Sequence, residues 1–290
     1  MENNIRRKER QLIISFLFFP LLLFVAFNLW PMLALISYSF TSWDGLSPKK
    51  EFIGFANYVR ILKDPDYIRV FLNSFIYFAA GLVQIIIALS FAIMLSYKVK
   101  GKTFFKAAIV LPTVISGMAI GMMFKVVLTP KGSLDMLLTY LGLGEYIRYW
   151  LGDPRVVNYT LGAISIWRHT GRSFILYFGA ISCIPKEHYK QAAIEGASIW
   201  QTIRYVILPG IHIVLKLNFI LLTIGALSAF EIPMIMTNGS NGTSTFLLKT
   251  MKTAFEDKMY GRAASMAMII GVIIIALTSL QQKVKAQDHD

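Results

Sequence analysis

The chain has 290 residues, of which 56% are hydrophobic and only 16% charged, and its mean hydropathy is +0.57. A soluble domain carries about 25% charged residues, so the composition excludes an ordinary water-soluble enzyme and argues for a protein that sits in a bilayer. The formal net charge of +13 would suit a nucleic-acid partner, but its placement along the chain follows membrane topology instead.

A spanning helix needs roughly 20 mainly apolar residues to cross a hydrocarbon core of about 30 Å. Six stretches meet that length: 12–38, 72–97, 105–128, 157–181, 211–236 and 262–281. With their connections they use nearly the whole chain, which reads as one transmembrane domain over 1–290 with no soluble catalytic domain. The polar start, with Arg6, Arg7, Lys8 and Arg10, is similar to a signal-peptide leader. The apolar run behind it is too long, however, and lacks a small-residue cleavage site. An uncleaved first helix with a cytoplasmic N-terminus is the expectation, kinked or protruding at Pro20 and Pro31.

The first outer loop (41–70) contains a helical period over 57–62 and places Trp43 and Tyr67 at headgroup level. The short inner segment 98–106 carries Lys98, Lys100, Lys102 and Lys106 as inside-positive anchors. Gly101, Lys102 and Thr103 are similar to the end of a phosphate-binding loop. Ser96 stands where the leading glycine belongs, though, and a spanning helix precedes it instead of a strand. In the third span Gly117 and Gly121 allow close helix approach, with packing inside the bundle expected over a dimer contact. The second outer loop (129–156) opens on Pro130 and Gly132, runs through an amphipathic stretch and closes on Tyr149 to Pro154; the third opens on a turn, Thr237 to Gly242.

With both termini inside, the cytoplasmic segments collect Lys186, Lys190, Arg204, Lys283 and Lys285 besides the basic residues above. In the longer outer loops, by contrast, acids nearly balance the bases. Cys183 is the single cysteine, so an internal disulfide is excluded. His169, His188, His212 and His289 have no partner at metal-ligand spacing, and no metal site is expected.

The inner loop 184–209 is the most informative segment. Its periodicity predicts a short helix over 187–196, a turn at Gly196, and a second helix over 198–206 that stops before Pro209. Ala192, Ala193, Gly196 and Ala197 form a small-residue surface that lets another backbone approach closely. Tyr189, Trp200 and Ile203 are offered as apolar anchors.

This spacing resembles the coupling loop of bacterial ABC importers: Glu-Ala-Ala, a glycine shortly after, then a Leu-Pro. Ala192, Ala193, Gly196, Ile207, Leu208 and Pro209 fit; Gln191 departs, standing where the family has Glu. The stretch from Pro31 to Trp43, Phe52 to Tyr58, Trp150 to Pro154, Ile166 and Trp167, Phe230 to Ile232, Thr237 to Gly239, and Tyr260 to Ser265 extend the resemblance to the maltose- and glycerol-phosphate-type sugar permeases.

The resemblance implies an all-α integral membrane fold of six transmembrane helices, both ends cytoplasmic, with a coupling helix pair between spans four and five. It implies a non-enzymatic subunit of the bacterial cytoplasmic membrane that moves a sugar, expected to be an oligosaccharide, by alternating access. A second homologous permease, two ATPase subunits holding ATP and Mg, and an extracellular solute-binding protein would be its partners, with no cofactor in this chain. Gln191, Ala192, Ala193, Glu195, Gly196, Ala197 and Pro209 would meet the ATPase. An importer for a non-sugar solute and an ion-coupled secondary transporter are the competing readings.

Polar residues within spans are costly, so those that occur are informative. Arg168 and Arg172, at i and i+4, share one face of the fourth span, and Glu231 is the one acid placed inside a span. Three readings stay open. The arginines line the pathway and bind an acidic sugar, or they ion-pair with Glu231 or the partner permease, or they lie near the outer surface. Trp167, Tyr177, Asn218 and Phe230 are further candidates for the substrate pathway.

Overall fold

The computed structural model describes the backbone of residues 2–283 and the side chains of 12–282. Arg6, Arg7, Lys8, Arg10, Lys283, Lys285 and His289 therefore lie outside the described side chains. Within the described residues the chain is all-α, relieved by a single β-bridge between Thr41 and Phe52.

The helices are α1 (Glu2–Phe24), α2 (Trp30–Ser39), α3 (Ala56–Lys63), α4 (Pro65–Leu72), α5 (Ser74–Ser96), α6 (Lys102–Val114), α7 (Gly117–Val127) and α8 (Ser133–Tyr140). They continue with α9 (Val157–Ser182), α10 (Lys186–Ile194), α11 (Ile199–Thr202), α12 (Leu208–Gly210), α13 (His212–Leu227), α14 (Glu231–Thr237), α15 (Phe246–Phe255) and α16 (Tyr260–Lys283). Four of the described stretches are long and apolar enough to cross a bilayer alone: Leu12–Ser39, Pro65–Ser96, His212–Thr237 and Tyr260–Gln282. A fifth forms if α6 and α7 are taken as one bent span. The 26 residues of α9 supply the sixth passage, at about 1.5 Å per residue long enough to cross but interrupted by its central arginines.

Two expectations about the spans change. The second span starts at Pro65, inside the stretch assigned to the outer loop, because α4 and α5 follow one another with only Asn73 between them. The third span is no continuous rod: α6 and α7 meet at 98°. Ile115 is extended (φ −76°, ψ 136°), and Ser116 opens α7 by accepting the Ala119 amide on its hydroxyl at 3.2 Å. An N-cap of this kind satisfies a donor that the helix start would leave unpaired.

The chain divides into two compact units, Met1–Asp64 with Thr250–Val272, and Pro65–Lys249 with Ile273–Asp290. In the first, the Ser39 carbonyl at the end of α2 accepts from Asn57 Nδ2 at 3.2 Å and from Ser265 Oγ at 2.7 Å. The Ser39 hydroxyl accepts from Tyr58 Oη at 2.7 Å, and Gly261 N–H donates to the Trp43 carbonyl at 2.9 Å. A Cβ on Gly261 would run into the Thr41 carbonyl. These bonds tie α2, α3 and α16 together, and Trp43 packs on Tyr260 at 5.7 Å.

In the second unit α9 is the spine, with α5, α6 and α13 laid along it. Gly171 lets α6 come so close that a Cβ there would meet the Ile109 carbonyl. Two apolar cores lie along the spine. Val157, Leu161 and Ile164 pack with Tyr77, Ile120, Ile232 and Met236; Phe174, Tyr177 and Ile181 pack with Ala88, Ala92, Leu95, Ile207 and Ile211. Tyr67, expected at headgroup level, is buried.

Candidate functional site

Between those two cores, where α9 runs from Ser165 to Arg172, the apolar packing gives way to a cavity of about 380 Å³. Its polar wall holds Arg168, His169, Arg172, Gln84, Ser228 and Glu231, and Phe230 and Tyr77 supply aromatic surface. The helical period explains why α9 contributes so much: 165, 168, 169 and 172 lie on one face. The acid enters because α13 ends at Leu227 and α14 restarts at Glu231, so the broken span turns Phe230 and Glu231 inward.

Arg168 Nη1 lies 2.6 Å from Glu231 Oε2; the arginine side chain is 19% exposed and the carboxylate 50%. Removing an arginine from water costs several kcal/mol unless a counter-charge is at hand, and Glu231 supplies it. For Arg168 the geometry displays the Glu231 pairing; Arg172 takes no part in it. Gly117 and Gly121 explain how the pair fits. A Cβ at Gly117 would overlap the Glu231 carboxylate and the Arg168 guanidinium, and one at Gly121 would come 2.8 Å from Ile235. The small-residue face of α7 is thus filled by α14 of the same chain.

Arg172 is exposed on the cavity side, and no carboxylate among the described residues lies within ion-pair distance of it. Gln84 is buried and donates to the His169 carbonyl at 3.3 Å, while the His169 ring is held by the Ser165 carbonyl at 2.9 Å. The Tyr77 hydroxyl is buried without a hydrogen-bond partner.

The remaining pathway candidates sit elsewhere. Trp167 turns away from the cavity and packs edge-on against Phe124 at 5.4 Å. Tyr177 and Asn218 are enclosed in the packed interior, joined by a hydrogen bond of 2.6 Å, with Ser173 Oγ donating to Asn218 Oδ1 at 3.2 Å. Their polar atoms satisfy each other between α9 and α13. Sequence reasoning named neither Gln84 nor Tyr77; a glutamine in the middle of a span was the available signal.

The second assembly is the helix pair between α9 and α13. Here α10 ends in a Schellman cap: Gly196 N–H donates to the Ala193 carbonyl at 3.2 Å and Ala197 N–H to the Ala192 carbonyl at 2.9 Å, with Gly196 at φ +72°. Ser198 and Gln201 close a capping box on α11, at 2.7 and 3.3 Å. Gln191 Nε2 donates to Glu195 Oε1 at 3.1 Å. Ala193 and Glu195 are exposed, Ala197 is half-buried and Ala192 is buried.

Two expectations fail in this pair. The second helix does not stop before Pro209: residues Ile203–Ile207 widen into a π-turn, Leu208 N–H reaching back to the Ile203 carbonyl, and the helix passes through the proline into α12. The wider turn relieves the clash of a proline ring with the carbonyl four residues earlier. Tyr189 and Ile203 point inward and pack on the core around Ile207 and Ile211. The outward apolar surface is Ile194, Ile199, Trp200 and Tyr205, with Ile194 87% and Trp200 79% exposed.

Among the described residues no group of three His, Cys, Asp or Glu could hold a metal ion. Residues 84–286 match the family described as binding-protein-dependent transport system inner membrane component. The probable ABC transporter permease protein YurN of Bacillus subtilis is 32% identical over 278 residues, 93% of this chain and 95% of that protein. The multiple sugar-binding transport system permease protein MsmF of Streptococcus mutans is 31% identical over 272 residues, 93% of each chain. Among solved structures, a bacterial ABC transporter involved in the import of the acidic polysaccharide alginate superposes with a TM-score of 0.87 at 19% identity, covering 100% of both chains; that likeness is one of fold. With two-thirds of its length matched and permeases at over 30% identity along nearly all of it, the chain belongs to the family of inner membrane components of binding-protein-dependent ABC transport systems.

Proposed function

We propose that this permease forms half of the pathway of an ATP-driven importer that carries an oligosaccharide across the bacterial cytoplasmic membrane by alternating access. The observation that carries the reading is the α10–α11 pair, whose two caps fix a sharp turn and leave an apolar ridge facing outward. A ridge of this shape suits a groove on a partner protein. Gln191, Ala193, Glu195, Gly196 and Ala197 lie along the turn, Ala192 beneath it, and Pro209 marks its exit. A push there reaches α13 through the π-turn and reaches the cavity through α14.

In this reading both termini and the helix pair are cytoplasmic, as the basic residues of the inner segments favour. Two ATPase subunits bind ATP and Mg, a second permease completes the pathway, and an extracellular binding protein delivers the cargo. This chain then carries no cofactor. The sugar named for MsmF supports a sugar here. Gentle purification of the tagged chain with identification of its companions tests the reading. Two ATPases, a second permease and a sugar-binding protein are expected. A chain that purifies alone and moves solute in liposomes without ATP would overturn it.

A further inference from the structure

The cavity on α9 holds two arginines and one carboxylate, and the three are arranged unequally. Arg168 is closed by Glu231 at 2.6 Å, whereas Arg172, one turn along the same face, stands exposed without a carboxylate among the described residues. The lining thus has a formal surplus of one positive charge, counted on its Arg and Glu residues. An exposed guanidinium on the wall of a cavity within a span is a ready docking point for an anion.

Glu231 is held loosely enough to give way. Half of its carboxylate side chain is open to solvent, it starts a helix separated from α13 by a break, and Gly117 beneath it supplies no side chain to lock it. Arg168, by contrast, rises from the middle of the 26-residue α9, the best-packed helix of the unit.

We infer that Glu231 keeps the place of a cargo carboxylate: the cavity takes an oligosaccharide bearing uronic-acid groups, one carboxylate resting on Arg172 and a neighbouring one displacing Glu231 from Arg168. Four residues of helix separate the two arginines by about 6 Å along the axis, a span that adjacent sugar units can bridge. Guanidinium groups favour this class of ligand because their planar donors meet a carboxylate in pairs. Tyr77 and Phe230 supply the aromatic surface, and Gln84 and Ser228 the polar groups, that a sugar ring needs. The exchange is one of ion pairs only, with no bond made or broken.

This inference rests on the importer reading above. It is tested by equilibrium dialysis of labelled galacturonate trisaccharide against the intact transporter complex in lipid nanodiscs, beside its carboxyl-reduced, neutral counterpart. The acidic sugar is expected to bind about tenfold or more tightly than the neutral one, the difference that one charge-assisted contact makes. Arg172→Gln should erase that preference and Arg172→Lys should keep part of it. Glu231→Gln, which frees Arg168, should tighten the acidic sugar several-fold while leaving the neutral one behind. Equal binding of the two sugars, equal loss of both in Arg172→Gln, or weaker acidic binding in Glu231→Gln would each overturn the inference. A complex that contains its ATPases yet shows no preference leaves the importer reading standing; a chain that has no ATPase companion takes both down.

Discussion

The side-chain amide of Asn218 donates to the Tyr177 hydroxyl at 2.6 Å, joining α13 to α9 inside the packed half of the second unit. Both residues are almost fully buried, so the bond has no water to replace it. Asn218→Leu should weaken the folded protein by about 0.5–2 kcal/mol, the range for interhelical hydrogen bonds in membranes. Thermal unfolding of the purified complex should show the loss. Sugar affinity should stay unchanged, since neither residue lines the cavity; a selective loss of affinity would return the pair to the pathway.

Gly117→Ala places a methyl group inside the Arg168–Glu231 ion pair. One of the two side chains has to move, so transport should drop by tenfold or so, about 1.4 kcal/mol of misfit. Gly179→Ala is the matched control, because a Cβ there meets nothing within 4 Å. It should be neutral or slightly stabilising by helix propensity, up to about 1 kcal/mol. Initial uptake rates of the two variants, normalised to membrane content, separate the local cost from a general intolerance of alanine.

At Gly196 the φ of +72° is the constraint, since no atom crowds the position. Gly196→Ala should cost about 1–2 kcal/mol of local strain and loosen the turn without removing any contact. Gly196→Asn should cost less, because asparagine enters the left-handed region more readily. In the proposed importer, retention of the ATPase subunits during purification should follow the order Gly, Asn, Ala. Full retention in Gly196→Ala would show that the turn is not what the ATPase reads.

The loop after α2 carries a pH-sensitive turn. Asp44 accepts the Ser47 and Leu46 amides at 2.7 and 2.9 Å and the Ser47 hydroxyl at 2.7 Å. The Ser47 amide leads these bonds in lowering the Asp44 carboxyl from 3.8 to about 2. Because the folded value is the lower one, the carboxylate stabilises the turn above its ordinary value near 4, and that support is lost as the pH falls through about 2. Asp44→Asn should reproduce the loss at neutral pH. Faster hydrogen exchange at Leu46 and Ser47, with the helices unaffected, is the expected readout.

Much of this was legible in the sequence because it rests on periodicity and backbone chemistry. The arginines share a face at i and i+4, and Gly196 followed by Ser198 and Gln201 reads as a stop and a start. Other features turn on distance. Tyr177 and Asn218 looked like pathway residues because a polar side chain within a span reads alike whether it faces a cavity or another polar side chain. The right-angled bend at Ile115 and Ser116 hid inside an unbroken apolar run, with Pro112 and the serine ahead of Gly117 as its faint marks. The motif residues Asn57, Tyr58 and Ser265 gave no hint that all three meet at Ser39.

The π-turn at Ile203–Ile207 has a companion at Val25–Leu29, where Trp30 N–H reaches back to the Val25 carbonyl just ahead of Pro31. Each inserts one residue beyond the α-helical repeat, and one residue is about 100° of rotation. The wide turn absorbs that residue just ahead of each proline, so the helix continues on either side of it. Deleting any one residue from 203–207 would close the turn to α-helical winding and set the Pro209 ring against the carbonyl four residues before it. Sequence length in these two places is thus held by the proline that follows.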